Sequence, residues 1–384
     1  MIDVQSRGKD TCCGCNGCVQ VCPKECIHLK NDLEGFWYPV VDTEKCIRCG
    51  LCDKVCPELS VLEPSYPIKS FAAIHKDSKM LSKSSSGGVF AALAEYVLNK
   101  KGVVFGAVFN DNWEVEHVCI ERIQDLYQIQ GSKYVQSDIM DSYVQARNFL
   151  SQKKLVLFSG TPCQIAGLRS FLRKDYENLY LVDIICHGVP SPLVWKEYIE
   201  NNFNKKNITN ISFREKKPLW DKYSFMIRLG TRCFKEPAGE NPYLRGFLKD
   251  IYLRPSCYNC SFKKGKSMSD CTIGDFWGIR EIMPDLDVNR GCSCLMVNSD
   301  KGLRVIRDID SLEYYKVNYE DILRNNPSLE ESSLEHPFRS KFYRDFTTKK
   351  YKKVEKKWMR KPLKDRFKTK IKLLLIRTNL YKGV

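Results

Sequence analysis

Histidine is scarce in this sequence, with five residues in 384 against 19 cysteines. No nucleophile, histidine and acid stand in a recognisable constellation, so a triad hydrolase gains no support. Also missing is any apolar run near the roughly 18 residues that span a bilayer. The N-terminus lacks the basic-then-apolar pattern of an export signal. Both absences argue against secretion and membrane insertion and lead us to expect a cytoplasmic location. Apolar residues are not short: 43% hydrophobic and 28% charged residues make a globular chain. Its length fits about two or three domains with a buried core.

Nineteen is an odd number of cysteines, and without an export signal a disulfide framework explains them poorly. Thiolate-bound metal in a reducing compartment explains them better. Charge is uneven along the chain. Of 62 basic and 46 acidic residues, 18 basic and three acidic ones lie from Arg339 onward. The preceding body is close to neutral. A nucleic-acid-coating protein would spread basic residues over its folded surface, so no specific nucleic-acid partner is expected.

The cysteines are patterned. Cys12-x2-Cys15-x2-Cys18-x3-Cys22-Pro23 recurs, 34 residues on, as Cys46-x2-Cys49-x2-Cys52-x3-Cys56-Pro57. Three cysteines of one tight loop can grip three irons of a cubane, while the fourth cysteine ligates the other cluster, as in two-cluster bacterial ferredoxins. The expected sets are Cys12, Cys15, Cys18 and Cys56 for one 4Fe–4S cluster, and Cys46, Cys49, Cys52 and Cys22 for the other. Gly14, Gly17 and Gly50 leave room for backbone N–H groups near the sulfurs. Zinc would need only four ligands in all, usually as two separated pairs. Ile27–Leu29 and Tyr38–Asp42 read as short strands of a small α+β module. Cys13 and Cys26 fall outside the pattern and read as small core residues rather than ligands.

After a linker at Pro64–Pro67, alternating strands and helices indicate an α/β domain. Ser86-Gly87-Gly88 opens a helical pattern carrying Val89, Phe90, Leu93, Tyr96 and Val97. Such a start can meet a phosphate with backbone N–H groups, although a plain N-cap accounts for it as well. Lys133 and Tyr134, with Ser137 beyond, could add a charged anchor and an aromatic plane, or merely form a turn. The strand Leu155–Ser159 runs into Gly160-Thr161-Pro162-Cys163-Gln164, where a capping box puts Cys163 in a first helical turn. The strand Leu179–Ile185 ends at Cys186-His187-Gly188. In one parallel sheet, both cysteines would share the carboxyl edge where α/β folds place ligands. Cys257-x2-Cys260 could complete a third set of four thiolates, and spacing alone leaves iron–sulfur and zinc both open. Cys271, Cys292 and Cys294 are spare candidates, while Cys119 and Cys233 look incidental. Gly274-Asp275-Phe276-Trp277-Gly278 suits a flavin or substrate wall, or a hydrophobic corner.

Together these segments resemble the family of beta subunits of coenzyme F-420 hydrogenases and dehydrogenases. The resemblance rests on Ser86-Gly87-Gly88, Gly160–Gln164, Ile185-Cys186-His187-Gly188-Val189-Pro190-Ser191-Pro192, Cys257-x2-Cys260 and Gly274–Gly278, and covers about residues 70–300. It implies FAD in the α/β domain and a 4Fe–4S cluster on Cys163, Cys186, Cys257 and Cys260. Cys271 departs from the family pattern, where Ile is common. The resemblance leaves the substrate open, whether a deazaflavin-like or another small two-electron donor or acceptor, with polysaccharide biosynthesis among the settings.

The expected architecture is an α+β two-cluster ferredoxin-like module (1–62), an α/β flavin-binding domain (70–328) and a basic, partly helical tail (329–384). In that tail Phe367, Ile371, Leu374 and Leu375 fall at helical spacing beside Lys364, Lys368, Lys370 and Lys372. Such a helix could contact an anionic membrane surface or an acidic partner, or remain a solvated tail. The leading expectation is a flavin-dependent iron–sulfur oxidoreductase. The second is an electron-transfer subunit that feeds a separate catalytic partner, and the third a cluster-bearing RNA-binding or structural protein. A redox protein or small redox substrate is the expected partner, and a homo-oligomer is compatible with the sequence.

Overall fold

The computed structural model describes residues 8–60, 62–217 and 219–361. In the cysteine-rich N-terminal segment β1 (Ile27–Asn31) and β2 (Trp37–Val41) pair antiparallel, with Ile27 opposite Val41. The short helices Gly17–Val21 and Leu51–Lys54, one in each motif, pack together beside this hairpin.

The chain then enters β3 (Lys69–His75), β4 (Val103–Phe109), β5 (Val115–Ile120), β6 (Val156–Gly160) and β7 (Leu179–Ile184). A separate antiparallel sheet follows, made of β8 (Ile208–Glu215), β9 (Ser224–Leu229) and β10 (Arg232–Pro237) in the order β10-β9-β8. Next come β11 (Cys271–Asp275), β12 (Ser293–Val297) and β13 (Leu312–Val317), which return to the main sheet. The main sheet has eight strands in the order β13-β3-β12-β11-β7-β6-β4-β5. Its centre, β4-β6-β7-β11, is parallel, and the remaining pairings are antiparallel. The result is a mixed α/β fold.

Strand periodicity explains the layers. Successive residues point to opposite faces. Val156 and Phe158 therefore pack with the helices Ser142–Ser151 and Pro162–Leu172, while Leu157 packs on the other side with the helix Val89–Asn99. Both faces are covered, which is why the central strands are continuous apolar runs rather than alternating ones.

Residues 339–359 correct one expectation. The segment is not a solvated tail: the helices Arg339–Thr348 and Tyr351–Val354 and the π-helical turn Glu355–Met359 pack on the body. Phe342, Tyr343, Tyr351, Val354 and Met359 are buried in the same aromatic cluster as Trp195, Tyr198 and Tyr243. Arg339 anchors this segment to the N-terminal module by a two-pronged pairing with Glu34, at 2.8 and 2.5 Å. The other basic residues of the segment are exposed, so their number hid an amphipathic packing segment. Phe367, Ile371, Leu374, Leu375 and the lysines beside them lie outside the described residues. Among the described residues no helix is long and apolar enough to cross a membrane.

Candidate functional site

The two N-terminal motifs form two thiol-lined cavities. Cys12, Cys15 and Cys18 line one together with Cys56. Cys46, Cys49 and Cys52 line the other together with Cys22. Each motif's fourth cysteine thus stands beside the other motif's triad. The local backbone suits this: Gly14 and Gly50 adopt left-handed φ of 72°, and the N–H groups of Gly14 and Gly17 donate to Cys12 and Cys15. Among the described residues no three His, Cys, Asp or Glu side chains converge on a single ion.

The first cavity lies against the α/β body. A Cβ on Gly167, in the helix Pro162–Leu172, would sit 2.7 Å from Cys15 Cβ and 3.0 Å from its Sγ. Only glycine allows that approach. Arg254 closes the same side. Its guanidinium donates to the carbonyls of Cys12 (2.7 Å) and Trp37 (3.0 Å) and to Gln136 Oε1 (3.1 Å). It also lies 3.6 Å from Cys12 Sγ and 4.3 Å from the centre of the Tyr38 ring. Arg254 is fully buried, and among the described residues no carboxylate meets it. A buried cation is costly without an anion. Burial raises the Cys12 thiol pKa, and Arg254 opposes that rise.

The third set assembles at one sheet edge. Gln164 Oε1 accepts from the Thr161 N–H at 2.9 Å, completing the expected capping box and holding Cys163 in the first helical turn. The Thr161 hydroxyl is 3.1 Å from Cys163 Sγ. β6 and β7 pair parallel, so Cys163 and Cys186 follow neighbouring strands at their carboxyl ends. Cys257 and Cys260 fold over the same edge, and the four sulfurs lie within electrostatic reach of one another. Burial pushes the Cys257 and Cys260 thiols up to about 12 and about 11. Buried Lys263 donates to the carbonyls of Cys186 and Ser328, both at 2.6 Å, and again no carboxylate meets it among the described residues.

Cys13 links the first and third sets. It is buried with Cys15, Cys163, Cys260 and Phe262. Hydrogen bonding to Cys15 and Cys163 holds its own thiol pKa well up and lowers theirs. Cys26 is likewise buried, 3.4 Å from Cys22 Sγ. Both residues are buried as expected, but they touch the thiols they were set apart from. Cys271, Cys292 and Cys294 are buried in the cores around β11 and β12.

The candidate phosphate segments are placed less openly. The Ser86 hydroxyl donates to the Cys292 carbonyl at 2.9 Å, and the Gly87 N–H to Ser293 Oγ at 2.8 Å. A Cβ on Gly87 would come within 2.2 Å of the Ala73 carbonyl oxygen, so this glycine answers to packing on the sheet. Gly88, at φ 87°, precedes the helix. Lys133 gives its ammonium to the carbonyls of Gln128, Gln130 and Gly131 (3.1, 3.0 and 3.3 Å) instead of presenting it freely, and burial pushes it down to about 7. Tyr134 stacks on Phe247, and Ser137 Oγ accepts from Gln164 at 2.9 Å. The Ser132 N–H donates to Ser85 Oγ at 2.7 Å, which joins the two loops.

Sequence reasoning missed Arg214 and Lys216, at the end of β8, which tie the cofactor candidates together. Arg214 pairs with Asp275 at 2.9 Å and lies over the Trp277 ring. Lys216 donates to the carbonyls of Leu81, Ser86 and Arg290 (2.9, 2.5 and 2.6 Å), and burial pushes it down to about 7. Arg214 Nε and Gln130 Nε2 are buried donors with no hydrogen-bond partner among the described residues. Crowded cations and spare donors fit an anionic group at this end of the sheet.

A mixed α/β body joined to a ferredoxin-type cysteine module defines the class, and comparison with known proteins defines the family. Residues 70–142 match the model for the coenzyme F420 hydrogenase/dehydrogenase beta subunit, N-term, and residues 153–321 that for its C terminus. Residues 37–58 match a 4Fe-4S binding domain. The chain belongs to the family of coenzyme F420 hydrogenase/dehydrogenase beta subunits. It is similar to an F(420)H(2) dehydrogenase subunit of Methanosarcina mazei, 25% identical over 46% of this chain and 53% of that one. It is also similar to the coenzyme F420-dependent sulfite reductase of Methanocaldococcus jannaschii, 24% identical over 81% of this chain and 47% of that one. The beta subunit of the F420-dependent formate dehydrogenase of the same organism is 23% identical, over 63% and 59%. The chain spans about half the length of these curated relatives. In the F420-reducing [NiFe] hydrogenase complex of Methanosarcina barkeri, one chain superposes with a TM-score of 0.47 at 15% identity, over 73% of this chain and 100% of that one.

Proposed function

We propose that this chain is an iron–sulfur flavoprotein oxidoreductase with two clusters in residues 1–62 and a third cluster and FAD in residues 70–328. In this reading Cys12, Cys15, Cys18 and Cys56 hold the first cluster, and Cys46, Cys49, Cys52 and Cys22 the second. Cys163, Cys186, Cys257 and Cys260 hold the third. When bound, the clusters would carry single electrons and the flavin would convert them to two-electron chemistry. Ser86, Gly87 and Gly88, with Lys133, Tyr134 and Ser137, would frame the FAD site, and Lys216 would keep positive charge against its phosphate end. A deazaflavin such as coenzyme F420, or another small two-electron donor or acceptor, is the proposed substrate class, and polysaccharide biosynthesis is one setting compatible with it.

The observation that carries this reading is a pair of buried cations with no carboxylate partner among the described residues: Arg254, 3.6 Å from Cys12 Sγ, and Lys263, bonded to the Cys186 carbonyl and within electrostatic reach of the Cys186 and Cys260 thiols. Four thiolates around an iron–sulfur core leave net negative charge, which both cations require. Arg254 and Gly167 also bring the first thiolate set directly against the helix that bears Cys163. A second reading, an electron-transfer subunit that feeds a separate catalytic partner, is favoured by relatives that are themselves a dehydrogenase subunit and a formate dehydrogenase beta subunit. Flavin content and dye reductase activity of the isolated chain test the choice. Bound FAD with two-electron substrate turnover supports the enzyme, and flavin-free clusters support the subunit.

A further inference from the structure

The 34-residue duplication lets one motif be compared with the other position by position. In the first motif, the positions between the cysteines are buried contacts. Cys13 is 8% exposed and packs with Cys163. A Cβ on Gly14 would sit 2.6 Å from Gln136 and 2.9 Å from Arg254. Asn16 donates to the Met140 carbonyl at 3.1 Å, and Gln20 Oε1 accepts from the N–H groups of Tyr143 and Val144 at 3.0 and 3.2 Å. This face of the first motif is docked on the α/β body.

The equivalent positions of the second motif are Ile47, Arg48, Gly50 and Lys54. Ile47 is 58% exposed, Arg48 and Lys54 are exposed, and nothing lies within 4 Å of a Cβ built on Gly50. Cys49, a candidate ligand, is itself exposed between them. Among the described residues neither Arg48 nor Lys54 is in an ion pair. The duplication has therefore produced two copies of one docking face. The inward copy is neutral and covered, and the outward copy is open, with an apolar centre and a net positive change of two cations, Arg48 and Lys54, against one acid, Asp53 in place of Val19.

We propose that the surface around Ile47, Arg48 and Lys54 is the port at which an acidic one-electron carrier protein docks on this chain. The proposal rests on the reading that the second motif holds a cluster. An exposed apolar residue in a motif that also exposes Arg48 and Lys54, over a shallow redox site, suits a transient electrostatically steered encounter better than an enclosed small substrate. The exchange moves one electron: the carrier is oxidised by one, this chain is reduced by one, and no bond forms or breaks. The inward copy shows what such a face does when covered, since it brings Cys15 against the helix that bears Cys163.

The test uses the full chain, purified anaerobically, and an oxidised acidic ferredoxin as probe. Titration calorimetry should show binding at low ionic strength that weakens at least tenfold as salt rises. The pair Arg48→Glu and Lys54→Glu should weaken it tenfold or more, and Lys196→Glu with Lys222→Glu, elsewhere on the exposed surface, less than twofold. Electron entry from the reduced ferredoxin should slow in parallel, while reduction by methyl viologen changes less than twofold. Absence of salt-sensitive binding, or equal loss in both variant pairs, overturns the port. An iron count near zero in the wild type faults the cluster reading instead, whereas a full count with binding indifferent to R48E/K54E faults the port alone.

Discussion

Replacing Arg254 with Met keeps a stem of similar length and removes the guanidinium. The wild-type group serves two carbonyls and an amide oxygen at 2.7, 3.0 and 3.1 Å, and stands 3.6 Å from Cys12 Sγ. Hydrogen bonds from a charged donor contribute about 1.5–3 kcal/mol each, and each acceptor left buried and unpaired costs about 1–3 kcal/mol. These terms do not add, and the wild type already bears the cost of burying the cation. Breaking a buried charged network in this way typically costs about 3–5 kcal/mol, which we expect here. The loss should concentrate where the module meets the body, because Cys12 and Trp37 are on one side and Gln136 on the other. Amide hydrogen exchange across residues 9–60 should rise by about two to four orders of magnitude, as that energy implies at about 1.4 kcal/mol per factor of ten. Arg254→Lys should fall between, since one ammonium cannot reach acceptors spread around a planar fork. Cys12 also loses the cation that opposes its raised pKa, so iron should leave the first site before the others. Unchanged exchange across 9–60 with unchanged iron in R254M would refute the reasoning.

Cys163→Ser replaces a soft thiolate with a hard hydroxyl; about four irons per chain should be lost while the N-terminal cluster signals persist in EPR. Gly167→Ala gains about 1 kcal/mol of helix propensity but forces a Cβ to within 2.7 Å of Cys15 and 2.8 Å of the Tyr143 hydroxyl. With overpacking costing about 1–3 kcal/mol, thermal unfolding should show net destabilisation, and a stabilised variant would contradict the close docking. Cys13→Ala removes a hydrogen bond to Cys15 and Cys163, so redox titration should give lower potentials for the first and third clusters and leave the second unmoved. Burial pushes Lys216 down to about 7 in the folded chain. The unfolded chain therefore binds more protons above that pH, and stability should rise from about pH 7 towards the ordinary lysine pKa of about 10.4. Denaturant titrations of Lys216→Met should show a flatter rise.

What was legible in the sequence was local. Cysteine spacing placed both ferredoxin-type triads, and Thr161, Pro162 and Gln164 placed Cys163 in its helical turn. The strands Val103–Phe109 and Leu179–Ile184 were visible as apolar runs. Long-range contacts were not visible. Cys13 looks like any small core residue until the helix carrying Cys163, about 150 residues later, is laid against it. Arg254 adjoins the Cys257 pair, yet its partners belong to the N-terminal module and to the loop at Gln136. Arg214 and Lys216 end a strand of a three-stranded sheet that carried no motif. In residues 339–359 the lysines outnumber the aromatic residues they surround, so charge concealed the face that packs on Trp195 and Tyr198.

The central claim is three four-thiolate iron–sulfur sites in one chain. Iron and acid-labile sulfide analysis of the full chain, purified without oxygen and paired with Mössbauer spectroscopy, tests it most directly. Three cubanes, each held by four cysteine thiolates, predict about 12 irons and about 12 sulfides per chain, all in 4Fe–4S form. A value near eight irons with zinc making up the difference would contradict the third site, and zinc throughout would contradict the account.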